Sequence, residues 1–220
     1  NFLALKKIKG LGFYGTRLSD LGGIRGMIWL ESLSVAGHPT LKDISPIKGL
    51  INLKTLNAEK CQIVDITPLE KLAKLESLNL NYNPIEKVPD LSALSKIKGL
   101  GFYGTRLRDL SGIKGMTWLE SLSVAGHPTL SDISPIKDLI NLKSLNVEKC
   151  QIKDINPLQR LAKLESLKLN YNPIEKIPDL SALTKIKGLG FHGTRLSDLS
   201  GIKDMTWLES LSVAGHPTLS

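Results

Sequence analysis

Apolar positions along the chain fall into short alternating sets that return every 22 or 23 residues. In the first set Ile8, Leu11 and Phe13 alternate with Gly10, Gly12 and Tyr14. The same spacing recurs in Leu30-Glu-Ser-Leu-Ser-Val35, Leu53-Lys-Thr-Leu-Asn-Ala58 and Leu75-Glu-Ser-Leu-Asn-Leu80. A period of two predicts a short strand with one face buried and the other free. Leu18, Leu21, Ile24 and Met27 follow at wider spacing and return along the opposite side. Such a set is too small to bury itself, so each unit needs its neighbours, and the fixed period predicts a stacked solenoid. Starts fall at 8, 30, 53, 75, 97, 119, 142, 164, 186 and 208, which reads residues 1–220 as one elongated domain. Above this lies a longer period of 89 residues: the stretch from Lys7 to Ser95 begins again at Lys96 and at Lys185.

Each segment reads L-x-x-L-x-L and continues x-x-(N/C/T)-x-(L/I), so the chain resembles leucine-rich repeat proteins over its whole length. The 22-residue spacing, with Asp43-Ile-Ser-Pro-Ile47 and Asp65-Ile-Thr-Pro-Leu69, is most similar to bacterial internalin-type repeats and to phosphatase-regulating ones. That resemblance implies an α/β repeat fold: a right-handed, curved solenoid, parallel β-sheet on the concave face and short 3₁₀ or irregular segments on the convex face. It also implies a non-catalytic interaction or adhesion module that holds a protein, or a host-surface or glycan ligand, on the concave face, outside the cell or on a bacterial surface. Ser45-Pro46 reads as a helix cap followed by proline at the first helical position.

Composition changes this picture little. No apolar run approaches the roughly 20 residues of a membrane span. The net charge of +8 raises nucleic acid as a partner, but the basic residues are scattered through every repeat and a solvated surface is the stronger reading. Lys9, Glu31, Lys54, Glu76, Lys98, Glu120, Lys143, Glu165, Lys187 and Glu209 share one column with alternating sign. Stacked strands then set each lysine between glutamates and help fix the register. Both chain ends fall within a repeat without a distinct polar cap, which predicts a piece of a longer protein or an engineered array. Open ends leave a second reading, a spacer that associates end to end.

Three arrangements invite chemistry and lose it on inspection. Thr16, His38, Cys61, Asn83, Thr105, His127, Cys150, Asn172, Thr194 and His216 occupy the column that ordinarily holds asparagine. Four repeats separate Cys61 from Cys150, about 19 Å of stacked strands, which excludes a disulfide and predicts buried structural thiols. The histidines are held apart in the same way, so no metal site is expected, and His38 with Cys61 has no oxyanion group beside it. Gly10-Leu-Gly-Phe-Tyr-Gly15 matches a dinucleotide motif, but its first glycines lie within the strand instead of the turn before a helix. No cofactor is expected.

The candidate site is therefore the free side of the sheet. Tyr14, Tyr103 and His192 share one position, with Tyr82 and Tyr171 at the ends of their strands. Asn57, Glu59, Asn79, Asn81, Asn146, Glu148 and Asn170 lie between them. Tyrosine among small polar residues is a composition that binding faces favour; the competing reading has Tyr14 merely covering Gly10 and Gly12. Trp29, Trp118 and Trp207 precede their strands and read as packing residues.

Overall fold

The computed structural model describes residues 2, 4–15 and 17–215. Thr16 and His216 of the asparagine column lie outside the described residues. Among the described residues ten three-residue strands run in chain order: β1 (Gly10–Gly12), β2 (Ser32–Ser34), β3 (Thr55–Asn57), β4 (Ser77–Asn79), β5 (Gly99–Gly101), β6 (Ser121–Ser123), β7 (Ser144–Asn146), β8 (Ser166–Lys168), β9 (Gly188–Gly190) and β10 (Ser210–Ser212). Within each sheet adjacent strands pair in parallel with like positions opposite, as in Leu11 to Leu33 to Leu56 to Leu78. The chain is a curved leucine-rich repeat solenoid, with the strands on one side and 3₁₀ turns such as Ser45–Gly49 and Asn156–Arg160 on the other.

The core is one continuous column set. Leu33, Leu56, Leu122 and Leu145 are buried under the sheet, and Ile24, Ile47, Leu69, Ile113, Ile136 and Leu158 close it from the 3₁₀ side. Trp29, Trp118 and Trp207 are half-buried against this core, as packing residues should be, with their indole N–H groups enclosed.

Two expectations need correcting. Ser45 does not cap its turn: the acceptor is Asp43, whose Oδ1 takes the Ser45 N–H at 2.7 Å and whose Oδ2 takes its hydroxyl at 2.9 Å. The same aspartate turn closes on Gly22, Thr67, Ser92, Ser111, Ser134, Asn156, Ser181 and Ser200. Proline follows in several of these turns and has no N–H to offer, so the amide before it is the donor left to satisfy.

The charged column also departs from a continuous ladder. Glu31 sits between Lys9 (3.2 Å) and Lys54 (2.7 Å), and Glu120 between Lys98 (3.5 Å) and Lys143 (2.6 Å). Hydrogen bonds, from Lys54 first and from Lys143 first, hold these two carboxyls below the ordinary carboxylate range. Glu76 and Glu165 make no ion pair among the described residues. On one side Lys54 and Lys143 turn to Glu31 and Glu120, and on the other lies a seam: the strands form three sheets, β1–β4, β5–β8 and β9–β10, and β4 is not hydrogen-bonded to β5 nor β8 to β9. Lys98 therefore reaches only forward, to Glu120.

Side chains and later turns hold the seam. Asn81 Oδ1 accepts the Tyr103 N–H at 3.0 Å, and the Tyr82 N–H donates to the Tyr103 carbonyl at 2.7 Å. Beyond the sheet, Arg106 N–H meets the Ile85 carbonyl at 2.9 Å and Leu91 N–H meets that of Gly112 at 3.0 Å. Here the fourth repeat runs extended through Lys87, which pairs in parallel with Asp109.

Candidate partner-binding face

The asparagine column is a structural device that several residue types perform. Asn83 accepts the Ile63 N–H through Oδ1 at 3.0 Å and donates through Nδ2 to the carbonyls of Ala58 and Leu80 at 2.7 and 2.9 Å. Asn172 repeats all three bonds one superunit later. His38 copies the two that reach the preceding repeat: Nδ1 accepts from Leu18 N–H at 3.3 Å, and Nε2–H donates to the Phe13 carbonyl at 2.6 Å. His127 instead meets the Val124 carbonyl at 2.8 Å and the Thr105 hydroxyl at 2.7 Å, and burial pushes its pKa down.

Cys61 and Cys150 donate to the carbonyls of Val35 and Val124 at 3.1 and 3.2 Å. Both thiols are buried and pushed up by that burial, the reverse of what a nucleophile needs. No cluster among the described residues has the ligands for a metal ion.

One position before this column, the backbone turns left-handed. Gly15, Gly37, Gly104, Gly126, Gly193 and Gly215 have φ between 66° and 87°; Lys60, Tyr82, Lys149 and Tyr171 adopt the same turn with φ between 54° and 59°. A side chain in that region costs about 1–2 kcal/mol that glycine does not. These four residues form two clusters. Lys60 places its ammonium 5.3 Å from the Tyr82 ring centre, and Lys149 stands 5.6 Å from that of Tyr171. Tyr82 meets Tyr103 edge to face at 5.2 Å, and Tyr171 meets His192 at 5.0 Å. Gly104 makes room: a Cβ there would stand 2.6 Å from the Tyr82 ring.

The residues singled out from the sequence divide into two groups. Tyr82, Tyr103 and Tyr171 are 45%, 54% and 49% exposed, which leaves much of each ring for a partner, and Tyr14 is 75% exposed. Tyr14 stands outside both clusters and leans over Gly12, where a Cβ would lie 2.6 Å from its ring. The amides, by contrast, are largely engaged. Asn57, Asn79 and Asn146 accept the backbone N–H two residues ahead, and Asn81 and Asn170 bridge to the N–H of Tyr103 and His192 across the seams. Glu59 is tied to the Asn79 amide at 3.0 Å and to Lys60 at 3.3 Å, and Glu148 to the Asn170 amide at 2.7 Å.

Lys60 and Lys149 are the residues sequence reasoning passed over. The signal was present: reading down their column gives glycine in six repeats and a cation or tyrosine in four. On the opposite face an open groove of about 500 Å³ is lined by Val64, Thr67, Val88, Pro89 and Asp109. Its counterpart has Lys153 in place of Val64.

These stacked strands, asparagine-column bonds and aspartate turns define a leucine-rich repeat protein. The family description Leucine Rich repeats (2 copies) matches residues 51–93 and 140–182. The repeats are similar to those of internalins. The structure superposes on the internalin InlF of Listeria monocytogenes with a TM-score of 0.83 and 29% identity, covering 96% of this chain and 63% of that one. A second internalin of the same species gives 0.73 at 29% identity, over 81% of this chain and 79% of that one. The leucine-rich repeat ectodomain of an Arabidopsis thaliana receptor kinase, solved in complex with Casparian strip integrity factor 2, gives 0.67 at 21% identity over 84% of this chain and 24% of that one. The chain thus spans a little under two thirds of the length of InlF. Among curated proteins, none matches it.

Proposed function

We propose that this chain is a non-catalytic interaction module that holds a protein partner on the concave face and its strand-exit edge. A leucine-rich repeat fold of internalin type ordinarily serves interaction and not catalysis, and the buried column residues here are committed to backbone bonds. The observation that carries the reading is the exposure of Tyr14, Tyr82, Tyr103 and Tyr171 just beyond the ends of their strands. Large rings fixed at low entropic cost are what a binding face requires. His192 extends the row, while Asn57, Glu59, Asn79, Asn81, Asn146, Glu148 and Asn170 supply a polar floor whose side-chain oxygens take backbone, amide and ammonium donors. By likeness to internalins, the place of action is the bacterial surface or the extracellular space. No helix among the described residues is long and apolar enough to cross a membrane.

The test is capture of cell-surface proteins by this chain and by a variant carrying Tyr14→Ala, Tyr103→Ala, Tyr82→Gly and Tyr171→Gly. Glycine suits the two left-handed positions, so the variant keeps the fold. A ligand retained by the parent and lost by the folded variant supports the module. Equal capture by both, or concentration-dependent growth in mass with no ligand, favours the spacer reading.

A further inference from the structure

We propose that the two lysine–tyrosine clusters on the strand-exit edge are paired subsites for the acidic groups of a linear polysaccharide. The inference goes beyond the concave-face reading, because it concerns cations that face does not need and a ligand of different chemistry.

The first argument is strain. Six repeats place glycine in the left-handed turn; the four that do not are those that assemble Lys60 on Tyr82 and Lys149 on Tyr171. Strained residues gathered at one constellation point to use of that constellation. The second is what each cluster presents. The Tyr82 ring lies against Gly104 and meets Tyr103 edge to face, while Lys60 stands over it. What the lysine adds to the exposed part of the ring is a pre-positioned ammonium, which attracts an anion. Lys60 shares its charge with Glu59 at 3.3 Å. Lys149 and Lys168 form no ion pair among the described residues, and Glu148 accepts from the Asn170 amide. The second cluster is therefore the stronger anion site, in a chain of net charge +8.

The third argument is spacing. The clusters lie four strands apart, about 19 Å along the solenoid. A ligand that offers acidic groups at intervals along a chain engages both, and the second contact then costs little further entropy. A polysaccharide fits better than a nucleic acid. Single-stranded bases need open aromatic faces, whereas Lys60 and Lys149 stand over the Tyr82 and Tyr171 rings and Gly104 and Gly193 lie against them.

The experiment measures affinity for a size-graded series of heparin-derived oligosaccharides at low salt, from members too short to span both clusters to members that exceed the span. The parent is expected to bind the long members on the order of a hundredfold more tightly than the short ones. A variant with Lys149→Gly and Lys168→Gln is expected to lose that length dependence, and one with Lys60→Gly to lose it while keeping the affinity for short members. Glycine at positions 60 and 149 matches the other repeats, so melting temperatures should hold; Lys60→Gln and Lys149→Gln repeat the test without added backbone freedom. Affinity independent of length, affinity unchanged in the variants, or no binding at low salt overturns the proposal. Tighter binding of a single-stranded oligonucleotide of matched charge overturns the polysaccharide assignment. A protein captured through the tyrosines, whatever the lysines do, leaves the concave-face reading standing.

Discussion

At the scale of single residues, backbone clearance and burial decide most of what the sequence permits. Gly112 and Gly201 lie where the extended tails of the fourth and eighth repeats cross the next turn, and a Cβ at either would collide with main-chain carbonyl oxygens of Val88 and Pro89, or of Ile177 and Pro178. Main-chain atoms cannot rotate aside, so Gly112→Ala should cost about 1–3 kcal/mol, read as a fall in urea midpoint at unchanged slope. Gly49, with nothing within 4 Å of its imagined Cβ, is the control: Gly49→Ala should be neutral or raise stability by about 0.4–1 kcal/mol. His127 gives a pH dependence of definite sign. Its folded-state pKa is depressed by burial below the ordinary 6.5, so the unfolded chain takes up the proton first. Stability is full above that ordinary value and is lost as pH falls through it toward the folded one. His127→Asn installs the residue that Asn83 and Asn172 already use in this column; its urea midpoint should vary less between neutral and mildly acidic pH than the parent's. The apolar columns and the burial of Cys61 and Cys150 were legible, because alternation and period decide which side a residue faces. The bridging role of Asn81 and Asn170 was not legible, since a pattern of exposed positions does not show which amide will turn back to the main chain.

At the scale of elements, the informative feature is the seam. The alternating charges continue unbroken from Glu76 to Lys98 and from Glu165 to Lys187, yet β4 and β5, and β8 and β9, are not joined by a ladder. No reading by column foresees this, because the seam follows from the fourth repeat's extended tail instead of from any residue in the strand. In that tail Lys87 holds the place where other repeats carry the turn aspartate, and Asp90 comes three residues later to close on Ser92 at 2.9 Å. Amide exchange tests the seam directly. The N–H groups of Glu120 and Ser121 donate to the Lys98 carbonyl at 2.8 and 3.0 Å, whereas those of Lys98 and Gly99 find no acceptor on β4 among the described residues. Lys98 and Gly99 should therefore exchange fast beside protected neighbours. Asn81 carries the side-chain bridge, so Asn81→Ala should lose about 1 kcal/mol and speed exchange at Tyr103. The same change at Asn57, whose Oδ1 bonds within its own repeat at 3.2 Å, should leave exchange at the seam untouched.

At the scale of the whole molecule, a solenoid's stability is close to a sum of units and nearest-neighbour interfaces, and the two seams lack the strand ladder that joins the other repeats. The four-strand blocks β1–β4 and β5–β8 should then open at different denaturant strengths instead of in one step. Each block contains one cysteine in the same column, with near-equal bonds and full burial, so any difference in reactivity reports the block and not the thiol. Within the 220-residue chain, the block of Cys150 is flanked by repeats across a seam on both sides, while the block of Cys61 has one such neighbour among the described residues. Pulsed labelling with a thiol reagent across a urea series should modify Cys61 at lower urea than Cys150. Asn81→Ala should widen the gap, because it frees the first block from the second. Joint labelling of both cysteines at one midpoint, coincident with loss of circular dichroism, would show that the buried leucine columns couple the blocks through the seams. Cooperativity would then belong to the core, and the interrupted ladder would be a local feature of the concave surface.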